Sequence, residues 1–307
     1  MQLIRGLHNL RCFDSGCVAT IGKFDGVHLG HQQILKAACE RAKELAVPSV
    51  VMVFEPDPNE YFMGEKAPAR LTCFREKLDL FRSLSIDFVL CLRFDKSLAS
   101  MPAENFVDDI LIEKLRVKHL IVGDDFRFGA QRRGDFILLK NRSEGHFSLQ
   151  NTDSIKQGTE RISSTLVRHK LAQNELSEVE SLLGRRFSIS GRVSHGDKLG
   201  RTIGFPTMNI PLKRKVSPVH GVYLVEIEGL SKVRHLGVAN VGVRPTLKKT
   251  TSRLEVHVFD FDALCYGKQI KVFFLEKIRE EKKFESFEAL KHQIALDIDN
   301  AKKALKN

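Results

Sequence analysis

Apolar residues in the first half of the chain fall into two alternating patterns. Short unbroken runs at 18–21, 49–54, 87–92 and 119–122 read as strands, since a continuous apolar stretch suits a strand buried on both faces. Between the first two, Ile34, Leu35, Ala38, Ala42 and Leu45 recur at helical spacing, and further helices are predicted over 75–84 and over 102–115, the latter opened by its proline. Strand and helix taking turns in this way predict a parallel sheet with helices on both faces. One more helix, 175–183, is stopped by Gly184 in the manner of a C′ glycine.

Beyond Gly184 the period changes. Residues 187–193, 221–227, 235–241, 253–259 and 269–274 are β-rich runs separated by glycine, proline and polar turns, with no long helix among them. Several antiparallel strands in succession predict a small closed barrel. The chain ends in an apolar stripe of Phe287, Leu290, Ile294, Ile298, Ala301 and Leu305, with Ser286 placed to cap the helix. The expected organisation is therefore an α/β parallel-sheet domain over 1–184 and an antiparallel β-barrel domain with a C-terminal helix over 185–307.

Length and charge narrow the function without choosing it. At 307 residues two domains are the natural expectation. No apolar run reaches membrane-spanning length and the first residues carry no secretory pattern, so a cytoplasmic protein without a membrane partner is expected. Six cysteines are scattered without C-x-x-C pairing, which favours reduced thiols over disulfides or zinc. A net charge of +11 suits polyphosphate chemistry as well as nucleic acid. The basic residues are dispersed and not interleaved with aromatics, so no nucleic-acid partner is expected.

Candidate chemistry is densest at 17–31, CVATIGKFDGVHLGH, where a buried strand runs through Gly22 and Gly26 into a helix start carrying His28 and His31. Free backbone N–H groups and the positive end of the helix dipole favour an anion there, and two imidazoles add hydrogen-bond donors or positive charge. In parallel sheets ligands collect at the carboxyl ends of the strands, where HLGH, EPDP (55–58) and GDDFRFG (123–129) all lie. Ser163–Thr165 open another apparent helix, with Arg168 one turn on; read alone, this segment is an ordinary N-cap with a solvated arginine. In RLEVHVFDF, Leu254, Val256 and Val258 share one strand face, while Glu255 and His257 share the other; by pattern alone that glutamate is a solvated one.

FDGVHLGH resembles the H-x-G-H signature of the nucleotidyltransferase superfamily, and RISSTLVR (161–168) resembles its triphosphate-gripping ISSTxxR motif. GFPTMNI (204–210) resembles the riboflavin kinase signature, usually GFPTANI. Together these motifs, in this order, resemble the bifunctional prokaryotic riboflavin kinase/FAD synthetase family over essentially the whole chain. The resemblance implies a Rossmann-like first domain that transfers an adenylyl group from ATP to FMN, and a barrel that phosphorylates riboflavin with ATP and Mg²⁺. Its substrates are riboflavin, FMN and ATP.

By the same resemblance His28 and His31 bind the ATP phosphates beside Gly22, Phe24 and Asp25, with Ser164, Thr165 and Arg168 on the opposite side and Asp125 and Arg161 near the same ligands. Asp125 stands where relatives often carry asparagine; an ionised aspartate accepts but does not donate. Phe54, Phe62 and Phe128 are candidate walls for an isoalloxazine. In the second domain Thr207 and Asn209 would ligate Mg²⁺ and phosphate, Gly196 and Arg201 would belong to a nucleotide-covering flap, Glu255 would be the general base, and Arg279 and Phe284 would close over the flavin. Met208 replaces the usual alanine, and alternation should point it away from Thr207 and Asn209. Two other readings compete: a transferase acting on another phosphate with the barrel as an accessory, and a non-enzymatic flavin- or RNA-binding regulator.

Overall fold

The computed structural model describes residues 1–10, 13–153, 155–158, 160–195, 204–212, 214–245 and 250–305. The chain divides into two compact units, Met1–Pro68 with Thr72–Ser164, and Ala69–Leu71 with Thr165–Asn307.

The first unit carries strands β1 (Gln2–Arg5), β2 (Cys17–Ile21), β3 (Ser49–Glu55), β4 (Phe88–Arg93), β5 (Val117–Gly123) and β6 (Ser148–Thr152), all parallel, in the order β1-β4-β3-β2-β5-β6. The main helices between them are α1 (Leu29–Glu44), α2 (Pro58–Met63), α3 (Phe74–Ser83) and, after the shorter α4 (Lys96–Ala99) and α5 (Ala103–Asn105), α6 (Phe136–Ser143). A two-stranded ribbon, β7 (Lys156–Gln157) and β8 (Glu160–Arg161), follows. Successive residues of β3 enter different cores: Val50 and Met52 pack with Leu90, Leu120 and Phe106, while Val51 and Val53 pack with Leu35, Phe81 and Val89. This two-sided burial is what makes the central strands read as unbroken apolar runs.

Two edge strands, β1 and β6, carry no such run; QLIR and SLQNT are largely exposed and are held by backbone pairing to β4 and β5. The helix predicted over 102–115 is instead the short α5 continued by a π-helix, Phe106–Lys114. Phe106, Val107, Ile110 and Leu111 are buried along it, and that spacing of apolar residues suits either winding. The strand order reverses at β2, with β3 and β4 on one side and β5 and β6 on the other. A parallel sheet offers its ligand crevice at such a point, beyond the carboxyl ends of the two strands that diverge, here β2 and β5.

The second unit opens with α7 (Ser164–Ala172, its first residue belonging to the other unit) and α8 (Leu176–Leu183), which ends at Gly184 with φ 67° and its N–H on the Glu180 carbonyl at 2.8 Å. Strands β9 (Ser188–Arg192), β10 (Met208–Pro211), β11 (Gly221–Glu228), β12 (His235–Pro245), β13 (Thr250–Val258) and β14 (Gln269–Arg279) form an antiparallel sheet in the order β10-β13-β12-β11-β14-β9. An isolated bridge between Ser194, two residues past β9, and Asn209 of β10 brings the two ends of the sheet together into a near-closed barrel. The terminal helix α9 (Phe287–Ala304) is capped by Ser286, whose Oγ accepts the Ala289 N–H at 3.1 Å. Its expected apolar stripe is only partly covered: Ala301 is buried, but Phe287 is 56 % exposed. The most deeply held polar group of α9 is Asp297, which takes a bidentate ion pair from Arg279 at 2.8 and 2.7 Å. Among the described residues Cys17, Cys39, Cys73, Cys91 and Cys265 are free thiols, and burial pushes the Cys17 thiol up to about 12.

Candidate active sites

His28 is the N-cap of α1 and His31 lies within its first turn. The Nδ1 of His28 accepts the His31 backbone N–H at 3.3 Å, which leaves the proton of a neutral ring on Nε2. The two rings stack at 3.6 Å between centroids, and Phe24 meets His31 edge-on at 5.2 Å. Burial above all holds His31 well below the usual histidine range, helped by the positive charge of Lys77 and Arg161 around it. Its Nδ1 is shut off from solvent and has no hydrogen-bond partner among the described residues. The neutral form of the His31 imidazole is thereby favoured in the ligand-free protein. A side chain at position 30 would come within 3.2 Å of the His28 ring.

The loop from β2 to α1 has a backbone that glycine placement alone did not foretell. Gly26 has φ 81°, but Phe24 (47°) and Val27 (41°) are also left-handed, a conformation costing about 1–3 kcal/mol each for residues of these types. It is held residue by residue. The Gly22 N–H bonds the Met52 carbonyl at 3.2 Å, the Lys77 ammonium donates to the Lys23 carbonyl at 2.7 Å, and Val27 N–H reaches the Phe24 carbonyl at 3.3 Å. Asp25 is buried, its Oδ1 accepting from the Thr72 N–H (3.0 Å) and hydroxyl (3.3 Å), while the Gly26 N–H donates to Thr72 Oγ1 at 3.0 Å. Phe24 is buried as well, packed against Phe81. Of the expected nucleotide contacts in this loop, Phe24 and Asp25 are both buried in the ligand-free protein. Thr72 and Lys77, remote in sequence, are the members that spacing did not reveal.

At the end of β5, Arg161 forms an ion pair with Asp124 at 2.7 Å and with Asp125 at 3.2 Å, bringing together two expected site residues and adding Asp124 as a third. Ser164 Oγ donates to the Asp25 carbonyl at 2.8 Å, a bond within the first unit. Along α7, Arg168 follows one turn after Thr165, and its Nε donates to the Ala69 carbonyl at 2.6 Å. The three candidate phenylalanines differ. Phe128 is buried against Phe106 and Phe126, Phe54 is partly buried beside Phe94, and Phe62 is 68 % exposed in an edge-on cluster with Tyr61 and Phe94.

In the barrel, register places Asn209 of β10 opposite Glu255 of β13, and Glu255 opposite Asn240 of β12. These three lie on one face, since Met208, Ile210, Leu254, Val256, Ala239 and Val241 point into the barrel and are buried. Met208 accordingly points away from Asn209, as alternation predicts. Asn240 was not anticipated, because strand register is not written in the spacing; its Oδ1 is buried and lacks a partner among the described residues. Beside it, a side chain on Gly242 would strike the Glu281 carboxylate, so glycine there lets that acid approach the same face. Thr207 is half-buried just before β10, and His257 bonds the Pro206 carbonyl through Nδ1 at 3.0 Å. Arg279 is engaged by Asp297 and lies 5.7 Å from the Phe284 ring. Gly196 and Arg201 lie outside the described residues.

Comparison with known proteins matches each half separately. A FAD synthetase family model matches residues 11–166 and a riboflavin kinase model matches residues 183–305. The bifunctional riboflavin kinase/FMN adenylyltransferase of Escherichia coli (strain K12) is 52 % identical over 97 % of this chain and 96 % of its own. Those of Haemophilus influenzae and Pseudomonas fluorescens are 47 % and 48 % identical, each over 98 % of this chain and 98 % and 97 % of their own. A solved Streptococcus pneumoniae structure described as a macrolide-efflux protein has the same fold, with a TM-score of 0.80 and 28 % identity over 98 % of both chains. No helix among the described residues here is long and apolar enough to cross a membrane. Both halves match in order, and identity near one half runs the length of both chains; the chain belongs to the bifunctional riboflavin kinase/FMN adenylyltransferase family.

Proposed function

We propose that this enzyme phosphorylates riboflavin on the outer face of its barrel and adenylylates the resulting FMN at the β2–α1 loop of its parallel sheet. The observation that carries the second assignment is the stacked His28–His31 pair at a helix start beyond the switch-point strand. An FMN phosphate oxygen attacks the α-phosphorus of ATP, forming one P–O bond as the bond to pyrophosphate breaks. No covalent enzyme intermediate is needed, so the protein's task is to align the reactants and meet the charge growing on phosphate oxygens. Nε2–H of His28 and the neutral His31 ring supply donors whose hydrogen bonds strengthen as that charge grows. Ser164, Thr165 and Arg168 bind the triphosphate from the start of α7, where free N–H groups favour an anion. Gly22 keeps the loop low, and Arg161, aligned by Asp124, sets the position of Asp125 near the nucleotide.

In the barrel, Glu255 takes the proton of the ribityl 5′-hydroxyl as its oxygen attacks the γ-phosphorus and ADP departs. Support comes from the register that sets Glu255 beside Asn209. Thr207 and Asn209 offer neutral oxygen donors, which fit a Mg²⁺ held mainly by substrate phosphates and water; when bound, the ion neutralises phosphate charge. Phe284 and Arg279 border the flavin, and Phe54, Phe62 and Phe128 surround the isoalloxazine of FMN in the first unit. Gly196 and Arg201 remain assigned to the flap, and residues 1–184 and 185–307 to the two activities. The deciding experiment supplies riboflavin and Mg·ATP and resolves flavins over time. FMN must appear first and FAD after it, and Glu255→Gln must block the first step while supplied FMN is still converted. Loss of both conversions in a folded Glu255→Gln enzyme overturns the division of labour.

A further inference from the structure

The β2–α1 loop is held by backbone, hydroxyl and amide groups at Gly22, Asp25, Gly26 and Val27, and at the Lys23 carbonyl by an ammonium. That charge belongs to Lys77 of α3, whose side chain is only 2 % exposed. An apolar side chain of similar length would be cheaper to bury, so packing does not account for an ammonium there. What the ammonium does is hold the carbonyl immediately before Phe24, the first left-handed residue of the loop. We propose that Lys77 is a positioning residue of the adenylyl-transfer site, fixing the Lys23 carbonyl so that the loop keeps the shape that presents His28 and His31.

The geometry runs in a short chain. Lys77 holds Lys23, the next residue Phe24 packs edge-on against His31 at 5.2 Å, and His31 stacks on His28 at 3.6 Å. A carbonyl freed at Lys23 lets Phe24 relax toward an ordinary backbone conformation and withdraws the ring that backs His31. Lys77 acts a second time through its field. The charged groups facing His31 are His28 from the cap of α1, Arg161 from β8 and Lys77 from α3, all positive when protonated, and all disfavour a proton on its ring. A neutral His31 meets an arriving polyphosphate as a donor already in place, without a proton having to be lost or gained.

This inference rests on the reading of the histidine pair as the transferase site, so the test carries a control for that reading. Lys77→Met removes both charge and donor, Lys77→Gln keeps a donor without the charge, and His28→Ser probes the site itself. With Lys77→Met, kcat for FMN adenylylation falls about 10²-fold, as for a reacting group moved by about an ångström, with KM for FMN unchanged and riboflavin phosphorylation at its normal rate. Lys77→Gln recovers part of kcat. In both variants the His31 ring resonance, followed by NMR in the ligand-free enzyme, titrates at higher pH than in the unaltered protein. A folded Lys77→Met enzyme with adenylylation within threefold of normal overturns the proposal, as does an unmoved His31 titration in both variants. If Lys77→Met does not fold, Lys77→Gln decides, since an unaltered His31 titration there is equally fatal. If His28→Ser leaves adenylylation intact, the site assignment has failed instead.

Discussion

His28 does two separable things, and its substitutions can be told apart. Through Nδ1 it caps α1, and in the proposed mechanism its Nε2–H meets the ligand. His28→Ala loses both. His28→Ser keeps a side-chain oxygen at the N-cap, where serine is among the preferred residues, but is too short to reach a ligand. The cap is worth about 1 kcal/mol, which in a unit of this size is a Tm difference of about 2–4 °C between the two variants. The lost donor is worth about 2.7–4 kcal/mol in the transition state, or 10²–10³ in kcat. Both variants should therefore show nearly the same drop in adenylylation and a different Tm. The assay is pyrophosphate release with FMN and Mg·ATP at saturation, alongside thermal unfolding and, on the same preparation, riboflavin phosphorylation. Adenylylation within threefold of normal in His28→Ser refutes the argument. So does an adenylylation loss in His28→Ala that tracks its Tm and is absent from His28→Ser, because the histidine would then be only a cap.

Glu255→Gln should lower riboflavin phosphorylation by about 10²–10⁴ and leave conversion of supplied FMN unchanged, measured by separating flavins after each half-reaction. Because His31 binds its proton less readily in the folded protein than in the unfolded chain, the unfolded state takes up more protons below the ordinary value of 6.5. Stability should then fall as pH drops through and below about 6.5, by at most about 1.4 kcal/mol per unit from this group; His31→Gln should flatten that slope in urea-unfolding titrations. Asp297→Ala leaves the Arg279 guanidinium in a largely buried place without its carboxylate and should destabilise the barrel unit by about 3–5 kcal/mol, read as a lowered midpoint of its unfolding, with adenylylation of FMN retained at low temperature.

What was legible in the sequence is what lies close along it. The β2 run, the glycine turn and the two histidines occupy fifteen consecutive residues and the helical spacing follows at once, so strand, turn and helix cap could be read together. The cap at Ser286 and the stop at Gly184 are local in the same sense. What escaped depends on chain segments meeting. Thr72 reaches Asp25 across 47 positions, Lys77 reaches Lys23 across 54, and Asn240 stands beside Glu255 only because of the register between β12 and β13. The left-handed Phe24 and Val27 were hidden for a related reason: neither is a residue type that announces such a backbone, and only the surrounding bonds hold it there. The terminal stripe went astray in the opposite direction, since helical spacing is local but the neighbour needed to cover Phe287 is not.

The barrel closes where one residue serves two masters. Ser194 N–H and Oγ both bond the Asn209 carbonyl, at 2.8 and 3.1 Å, and this is the stitch between the first and last strands of the sheet. The same residue's side chain sits on the outer face beside Glu255. If Asn209 holds Mg²⁺ and phosphate as proposed, a ligand that immobilises it from outside would also steady the Ser194–Asn209 seam. The Ser194 amide should exchange with solvent more slowly once Mg·ADP is bound, making a single backbone proton a gauge of how full the kinase face is.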